Sequence, residues 1–184
     1  MKYIAILLLL ILVSCKSEPK NEIKSENSID QSVSEMWNNF VKSNPEFRDK
    51  EMPESWYFHN NKEDANRLAE LTLSGKKTAT TTGLYRWYKE AGADLTKIGT
   101  KHIVTDFDGK AKVIIEITKV DTIPFNQISK AYAAKDMGTN TEPLKKWKKA
   151  HWDFFATVME ENGEKPTEDM LIVFESFETI WTEK

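Results

Sequence analysis

A dense polar run from Gly75 to Thr82 holds the residues best suited to chemistry. It reads Gly-Lys-Lys-Thr-Ala-Thr-Thr-Thr and combines a lysine, which can act as a base or bind an anion, with hydroxyl groups that can act as nucleophiles. The run is not a Walker phosphate loop, because that motif requires a glycine where this chain has Glu70. A solvated turn followed by a threonine-rich edge strand is the alternative interpretation.

Polar side chains also interrupt apolar patterns near the C-terminus. His151 falls on the apolar face of a predicted helix, which indicates either a core histidine or a cleft residue. Glu175 alternates with apolar residues on a predicted strand, so it either faces solvent or is a cleft partner of Lys77. The basic run at 145–149 is typical of a solvated helix face, although with Trp152 it could contact phosphate and stack a base.

Composition excludes some classes of function. The three histidines are scattered and the only cysteine is Cys15, which leaves no metal-ligand spacing, so we predict neither a metal nor a cofactor. The formal net charge of −3 argues against a globally basic nucleic-acid binder, while a local basic patch stays possible.

The N-terminus has the features of an export signal. Lys2 precedes an apolar run at 4–13, which at about ten residues is too short to cross a membrane. Ser14-Cys15 follows and resembles a bacterial lipobox, in which the cysteine is acylated. We therefore predict a lipoprotein signal peptide at 1–14, a lipidated Cys15 with a flexible polar tether at 15–31, and one domain at 32–184. The predicted location is the cell envelope, with the membrane as a partner through the lipid anchor.

The order of the predicted elements indicates an α+β domain. The first helix begins with a capping box of Ser32 and Glu35. Asp108-Gly109 between two runs rich in Val, Ile and Thr is a strong hairpin signal. The remaining predictions are helices at 61–75, 84–90, 124–134 and 142–161, and strands at 77–82, 101–107, 110–123 and 170–181.

The segment 75–80 resembles the Gly-x-Lys-x-x-Thr signature of the ASCH domain family, whose fold is related to the PUA RNA-binding fold. The resemblance extends in order over about residues 55–181. The other landmarks are Trp56-Tyr57-Phe58, the helix at 65–73, Pro124-Phe125, Trp147 with His151, Phe155, and 170–177 with Glu175. This resemblance implies a PUA-like fold, a small mixed β-barrel flanked by helices, with a nucleoside or RNA-like ligand in a cleft beside the signature.

Some members of that family hydrolyse the amide of acetylated cytidine with a lysine, a threonine and an acid. Matched by motif position, the resemblance assigns these roles to Lys77, Thr80 and Asp136. The lysine would take the hydroxyl proton, the hydroxyl would attack the acyl carbon, and the carboxylate would orient both. The chain departs from the hydrolases at Thr82, where they have an arginine that Arg86 could replace, and in the shorter side chain of Asp136.

Three functions stay open at this stage. The first is binding of a nucleoside or single-stranded RNA, with Thr78, Arg86, Trp56, Glu175 and His151 as ligand-binding residues. The second is the hydrolase just described, acting on an acylated nucleoside or a small amide. The third is an envelope interaction domain without catalysis, because RNA is scarce outside the cytoplasm. Only the first two require a partly buried Lys77 beside a carboxylate.

Overall fold

The computed structural model describes residues 30–183. The predicted signal peptide, Cys15 and nearly all of the predicted tether lie outside the described residues. The helices are α1 (Gln31–Ser43), α2 (Lys62–Leu73), α3 (Tyr85–Ala91), α4 (Lys130–Met137) and α5 (Pro143–Glu160), with single 3₁₀ turns at Pro45–Phe47 and Phe125–Gln127. The strands are β1 (Ser55–Trp56), β2 (Ala79–Leu84), β3 (Lys101–Thr105), β4 (Ala111–Pro124) and β5 (Leu171–Thr182). None of these helices has the length and apolar character needed to cross a membrane.

The strands form one five-stranded sheet in the order β1-β3-β4-β5-β2. β1 pairs with β3 in parallel, and the other neighbours are antiparallel. The predicted α+β class and the mixed character of the sheet are therefore confirmed. The two edge strands, β1 and β2, do not pair with one another, so the described strands form an open sheet rather than a closed barrel.

Helices cover both faces of this sheet. Neighbouring residues of β3 divide between two apolar clusters, because Ile103 packs under α1 while Val104 packs beside α2. Successive side chains of a strand point to opposite faces, so these clusters lie on opposite sides of the sheet. A third cluster fills the space under α4 and α5 and includes Leu84, Phe125, Trp147, Phe155, Ile172 and Phe174.

The predicted capping box at the start of α1 is wrong. The cap is Asp30, whose side chain accepts a hydrogen bond from the backbone N–H of Ser32 at 2.9 Å. The Ser32 hydroxyl instead accepts the backbone N–H of Ala111 at 2.8 Å, which ties α1 to β4. The carboxylate of Glu35 accepts from Gln31 rather than from the cap.

The predicted helix at 124–134 is also misplaced. Pro124 is the last residue of β4 and pairs with Leu171, a position where its missing N–H is tolerated. α4 begins only after Ser129, whose hydroxyl accepts the N–H of Tyr132 at 3.1 Å, and it continues to Met137. This later helix carries Asp136 within its last turn.

Candidate functional site

The turn that follows α2 directs Lys77 into the interior. The backbone N–H groups of Lys76 and Lys77 donate to the carbonyl of Leu71 at 2.9 and 3.0 Å, and Gly75 has a φ of 69°. That left-handed conformation favours glycine and is typical of a helix C-terminus. Thr78 then joins α4 to β5 through its backbone, because its N–H donates to Lys135 and its carbonyl accepts from Phe177. Thr78 thus holds the turn in place and is not among the pocket-lining residues.

Lys77 and Asp136 form a buried ion pair. Lys77 is 2% exposed and Asp136 is 4% exposed. The Lys77 ammonium donates to Asp136 Oδ1 at 2.6 Å, to the Asp136 backbone carbonyl at 2.8 Å and to the Ala79 carbonyl at 2.8 Å. It also lies 4.8 Å from the centroid of the Phe58 ring, a distance suited to a cation–π contact. An ammonium has three N–H groups, so every donor of Lys77 is used.

The second carboxylate oxygen of Asp136 is also satisfied. Asp136 Oδ2 accepts the Thr81 hydroxyl at 2.9 Å and the indole N–H of Trp147 at 2.8 Å. Burial alone would raise the pKa of Asp136, but the charge of Lys77 and the hydrogen bonds from Lys77 and Trp147 hold this pKa below its usual value. Asp136 is therefore a carboxylate at neutral pH.

His151 presents a hydrogen-bond acceptor beside this pair. Its Nδ1 lies 2.9 Å from the Trp147 carbonyl, which can only accept, so Nδ1 carries the proton. Burial lowers the pKa of His151 despite the opposing charge of Asp136, so the ring is neutral near pH 7. Nε2 then has a lone pair and lies 3.5 Å from Asp136 Oδ2. The ring stacks on Trp147 with centroids 4.2 Å apart.

A pocket of about 260 Å³ lies over the ion pair, at the edge of β2. Its volume is close to the lower limit of about 300 Å³ for small-molecule sites, so it suits one small ligand rather than a chain. Its floor and walls combine polar and apolar side chains. The buried or partly buried polar lining residues are Lys77, Thr80, Thr81, Asp136 and His151, with Thr82 and Gly83 beside them; the apolar ones are Phe58, Leu68, Met137, Ala150, Phe154 and Phe155. The more exposed polar residues His59, Asp64 and Arg67 form what we call the rim.

A polar cluster forms the rim of the pocket at the start of α2. Asp64 Oδ1 accepts from Arg67 at 2.7 Å, and Oδ2 accepts from the Asn61 side chain at 3.1 Å. These two hydrogen bonds lower the pKa of Asp64, so it is ionised at neutral pH. His59 has a φ of 65°, an uncommon conformation for a residue other than glycine, and its Nδ1 accepts from Asn61 at 2.9 Å.

A larger groove elsewhere lacks comparable chemistry. It has a volume of about 640 Å³ and lies between α1 and the end of β5. Its lining, Asn39, Lys42, Ser43 and residues 179–183, contains no buried ionisable side chain among the described residues. No group of three or more His, Cys, Asp or Glu side chains within 30–183 could hold a metal ion.

The structure separates the two threonines that follow Ala79. Thr80 aligns with Glu175 across the β2–β5 pair and Thr81 aligns with Phe174, so the two hydroxyl side chains point to opposite faces of the sheet. Thr80 lines the pocket, and its backbone carbonyl accepts the Tyr132 hydroxyl at 2.7 Å. The hydroxyl that contacts Asp136 is that of Thr81, a residue the motif comparison did not assign.

Glu175 occupies neither of the two environments predicted for it. Glu175 is 3% exposed, so it does not face solvent. All three N–H groups of Lys77 donate to other acceptors, so Glu175 is not a hydrogen-bond partner of Lys77. Burial raises the pKa of Glu175, and a hydrogen bond with Thr96 offsets part of that rise. Its Oε1 has no hydrogen-bond partner in the described part of the chain.

Arg86 and Trp56 lie outside the pocket lining. Arg86 is half-buried and pairs with Glu164 and, at 3.6 Å, with Glu90, so it does not supply the charge of the missing arginine. Trp56 is half-buried in β1, and its ring packs edge to face against Phe58 with centroids 4.9 Å apart. Trp56 therefore supports a ring that lines the pocket.

Sequence reasoning missed the rim and one wall of the pocket. Asp64 and Arg67 are three residues apart on a helix, the spacing of neighbouring charges on one face, and this was the one local signal for the rim. Phe154 follows His151 by three residues and so lies on the same predicted apolar face of α5, yet it is 43% exposed. An exposed aromatic side chain on a face expected to be buried becomes informative only once the pocket is known.

We expect Asp136→Asn to lower the free energy of unfolding by about 3–5 kcal/mol near neutral pH, because it leaves the Lys77 ammonium buried without a carboxylate. The double variant Lys77→Met/Asp136→Asn should recover part of this loss. Asp153→Asn is the matched control, because that carboxylate is 60% exposed and pairs with Lys149 on the surface. Urea denaturation measures all three, and equal losses for Asp136→Asn and Asp153→Asn would contradict a structural role for the buried pair.

The difference in stability between wild type and Asp136→Asn should depend on pH, and its direction follows from the pKa of Asp136. The pKa of Asp136 is lowered in the folded state, so its contribution to stability is fully present above the unfolded pKa of about 3.9. That contribution is lost as the pH falls through the lower folded pKa. The stability gap between wild type and Asp136→Asn should therefore stay constant near neutral pH and narrow as the pH falls below the unfolded pKa of about 3.9. A stability difference that grows as the pH falls would contradict a lowered pKa of Asp136 in the folded state.

Comparisons with known proteins agree with this architecture. The family model of the ASCH domain matches residues 54–181. The crystal structure of an ASCH domain from Lactobacillus crispatus JV V101 is similar with a TM-score of 0.74 and 32% sequence identity, over 84% of this chain and 97% of that one. A protein from Enterococcus faecalis V583 is similar with a TM-score of 0.71 and 33% identity, over 81% of this chain and 88% of that one. No curated protein matches the chain. The extent of the family match and these two structures establish that the chain belongs to the ASCH domain family and has its PUA-like fold.

Proposed function

We propose that this domain binds a nucleoside-sized ligand in the pocket above Lys77 and Asp136. The observation that carries the proposal is the combination of a cavity of about 260 Å³, a buried polar floor and aromatic walls. Apolar and aromatic walls with a few oriented polar groups are the usual composition of a small-molecule site. Phe58 and Phe154 can contact the faces of a base, while His151 Nε2 can accept one of its N–H groups.

A nucleoside fits this site better than a length of RNA. Three of the four lysines in the basic run at 145–149 form ion pairs: Lys145 with Glu142 at 3.1 Å, Lys148 with Glu168 at 3.8 Å and Lys149 with Asp153 at 2.7 Å. Such pairing reduces the positive charge that a phosphate backbone would need along this helix. Short RNA is therefore a weaker candidate than a single nucleoside.

The arrangement also weighs against a domain that acts only through its outer surface. Burying a lysine and an aspartate together costs desolvation energy that a hydrophobic pair would avoid. Perturbed ionisable groups in a cleft are characteristic of binding and catalytic sites, although structural networks also contain them. An envelope interaction domain would not need this pair, so the pocket is the better place to look for function.

We expect at least one of cytidine, uridine, adenosine and guanosine to bind residues 30–184 with a saturable isotherm in calorimetry. Phe154→Ala should weaken that binding about 5- to 150-fold, because stacking on an aromatic ring contributes about 1–3 kcal/mol per base. Tyr57→Ala is the matched control, since Tyr57 is 42% exposed, close to the 43% of Phe154, and does not line the pocket. Absence of saturable binding by all four, or equal effects of both variants, would count against the proposal.

Hydrolysis of an acylated nucleoside or small amide is the second candidate. It is favoured by the Lys77–Asp136 pair at 2.6 Å, which lies in the same pocket as Thr80. Two features weaken it. The Lys77 ammonium must lose one of its three donated protons before its nitrogen can accept one. Asp136 also contacts the Thr81 hydroxyl rather than that of Thr80.

We expect N(4)-acetylcytidine incubated with residues 30–184 to stay intact by mass spectrometry, because every N–H of Lys77 is already donated. If N(4)-acetylcytidine is hydrolysed instead, the matched variants Thr80→Val and Thr81→Val identify which threonine the reaction needs. Turnover lost in Thr80→Val alone would establish the hydrolase with the threonine assigned by the family resemblance. Turnover lost only in Thr81→Val would transfer that role to the threonine bonded to Asp136.

We also propose that the domain is held at the membrane by a lipid on Cys15. The support is the apolar run at 4–13 followed by Ser14-Cys15, together with the polar segment before α1. We expect the full chain expressed in bacteria to incorporate an alkyne-labelled fatty acid and to sediment with membranes. Cys15→Ser should abolish both, whereas Ser14→Ala, which keeps a small residue before the cysteine, should preserve both. Labelling that survives Cys15→Ser would refute the assignment.

A further inference from the structure

We infer that the rim formed by His59, Asp64 and Arg67 binds a vicinal diol, so that the pocket takes ribonucleosides in preference to 2′-deoxyribonucleosides. This inference rests on the proposed nucleoside ligand and adds the class of its sugar. The three side chains line the same cavity as the Lys77–Asp136 pair. These side chains are 40%, 34% and 49% exposed, whereas the side chains alone of Lys77 and Asp136 are 3% and 5% exposed.

That gradient of exposure sets the orientation of a nucleoside. The apolar and aromatic part of the cavity, with Phe58, Phe154 and Phe155, is the favourable place for the base. The hydroxyl-rich sugar keeps more of its hydrogen bonds at the solvent-exposed rim. The base therefore lies inward, and the ribose lies against the exposed edge of the cluster formed by Asp64, His59 and Arg67.

Asp64 has the acceptors that a diol requires. An ionised carboxylate offers about four acceptor positions, two on each oxygen. Arg67 uses one position on Oδ1 at 2.7 Å, and the Asn61 side chain uses one on Oδ2 at 3.1 Å. One position is left on each oxygen, and two adjacent hydroxyl groups can donate to them together. A carboxylate that binds ribose hydroxyls is an established device of nucleotide-binding folds.

His59 and Arg67 supply the complementary donors. The Asn61 amide donates to His59 Nδ1 at 2.9 Å, so in the neutral ring the proton is on Nε2. That Nε2 lies 3.8 Å from Asp64 Oδ2, too far for a good hydrogen bond, and can donate to a ligand oxygen. Arg67 has five N–H groups and uses one of them on Asp64 within the described residues. Each ribose hydroxyl can thus donate to Asp64 and accept from a neighbouring side chain.

The charge of the rim favours hydroxyl groups over phosphate. The positive charge of Arg67 is paired with Asp64 at 2.7 Å, and that carboxylate would repel a phosphate placed against it. A diol carries no charge and can donate to the carboxylate. The rim is therefore a sugar subsite rather than a phosphate subsite.

The test compares each of the four ribonucleosides with its 2′-deoxy counterpart by calorimetry on residues 30–184. We expect the ribose form that binds wild type best to bind about tenfold or more tightly than its deoxy form, because one hydroxyl hydrogen-bonded to a charged group is lost. Asp64→Asn should bring this ratio closer to one, because the ribose form loses two hydroxyl contacts with the carboxylate and the deoxy form, which keeps its 3′ hydroxyl, loses one. Retained binding of the deoxy form also shows that the variant is folded.

Asp153→Asn is the control, because its carboxylate lies on the exposed face of α5 and should leave the ratio unchanged. Equal affinities of wild type for ribose and deoxyribose forms would overturn the sugar subsite and leave the proposed nucleoside function standing. A loss of affinity in Asp64→Asn that is equal for the ribose and deoxyribose forms would also overturn the sugar subsite and leave the proposed nucleoside function standing. Failure of all eight compounds to bind wild type would overturn both proposals.

Discussion

Lys77 and Asp136 can be buried only together, since either charge alone in this interior would cost far more than the pair. Four parts of the chain must meet to satisfy them. The turn after α2 supplies Lys77, β2 supplies the Ala79 carbonyl and the Thr81 hydroxyl, α4 supplies Asp136, and α5 supplies the Trp147 indole. Removal of any one of these contacts leaves a buried polar group unsatisfied, so the floor of the pocket and the packing of α4 and α5 depend on one another.

The parts of this arrangement that could be predicted from sequence are those with local causes. Apolar periodicity located α2 and α5, and Asp108-Gly109 located the hairpin of β3 and β4, because helix stripes and tight turns are encoded within a few residues. Lys77 and Asp136 were found by motif position. The errors at α1 and α4 arose where two polar residues competed for one cap, as with Asp30 and Ser32, or where a proline ended a strand rather than opening a helix.

The features that could not be predicted depend on contacts between distant segments. Which threonine contacts Asp136 is set by the register of β2 against β5 and by the alternation of side chains in a strand. The burial of Glu175 follows from the same register. The rim requires His59 at a φ of 65°, a conformation that its residue type does not favour and no local pattern indicates. The resemblance to a family implied a small mixed β-barrel, and whether such a sheet closes depends on a pairing of β1 with β2, which the described strands do not make.

The balance of charge within the pocket bears on the kind of ligand it can hold. Asp136 cancels the charge of Lys77, and Asp64 cancels that of Arg67, while the burial of His151 lowers its pKa and keeps its ring neutral. The cavity therefore has little net charge, and the whole chain carries a formal net charge of −3. A phosphate taken into such a cavity would lose its hydration without gaining an unpaired cation, and that loss is costly in a low-dielectric interior. An uncharged heteroaromatic ligand avoids that cost and can still use the oriented hydrogen-bonding groups at the floor and the rim.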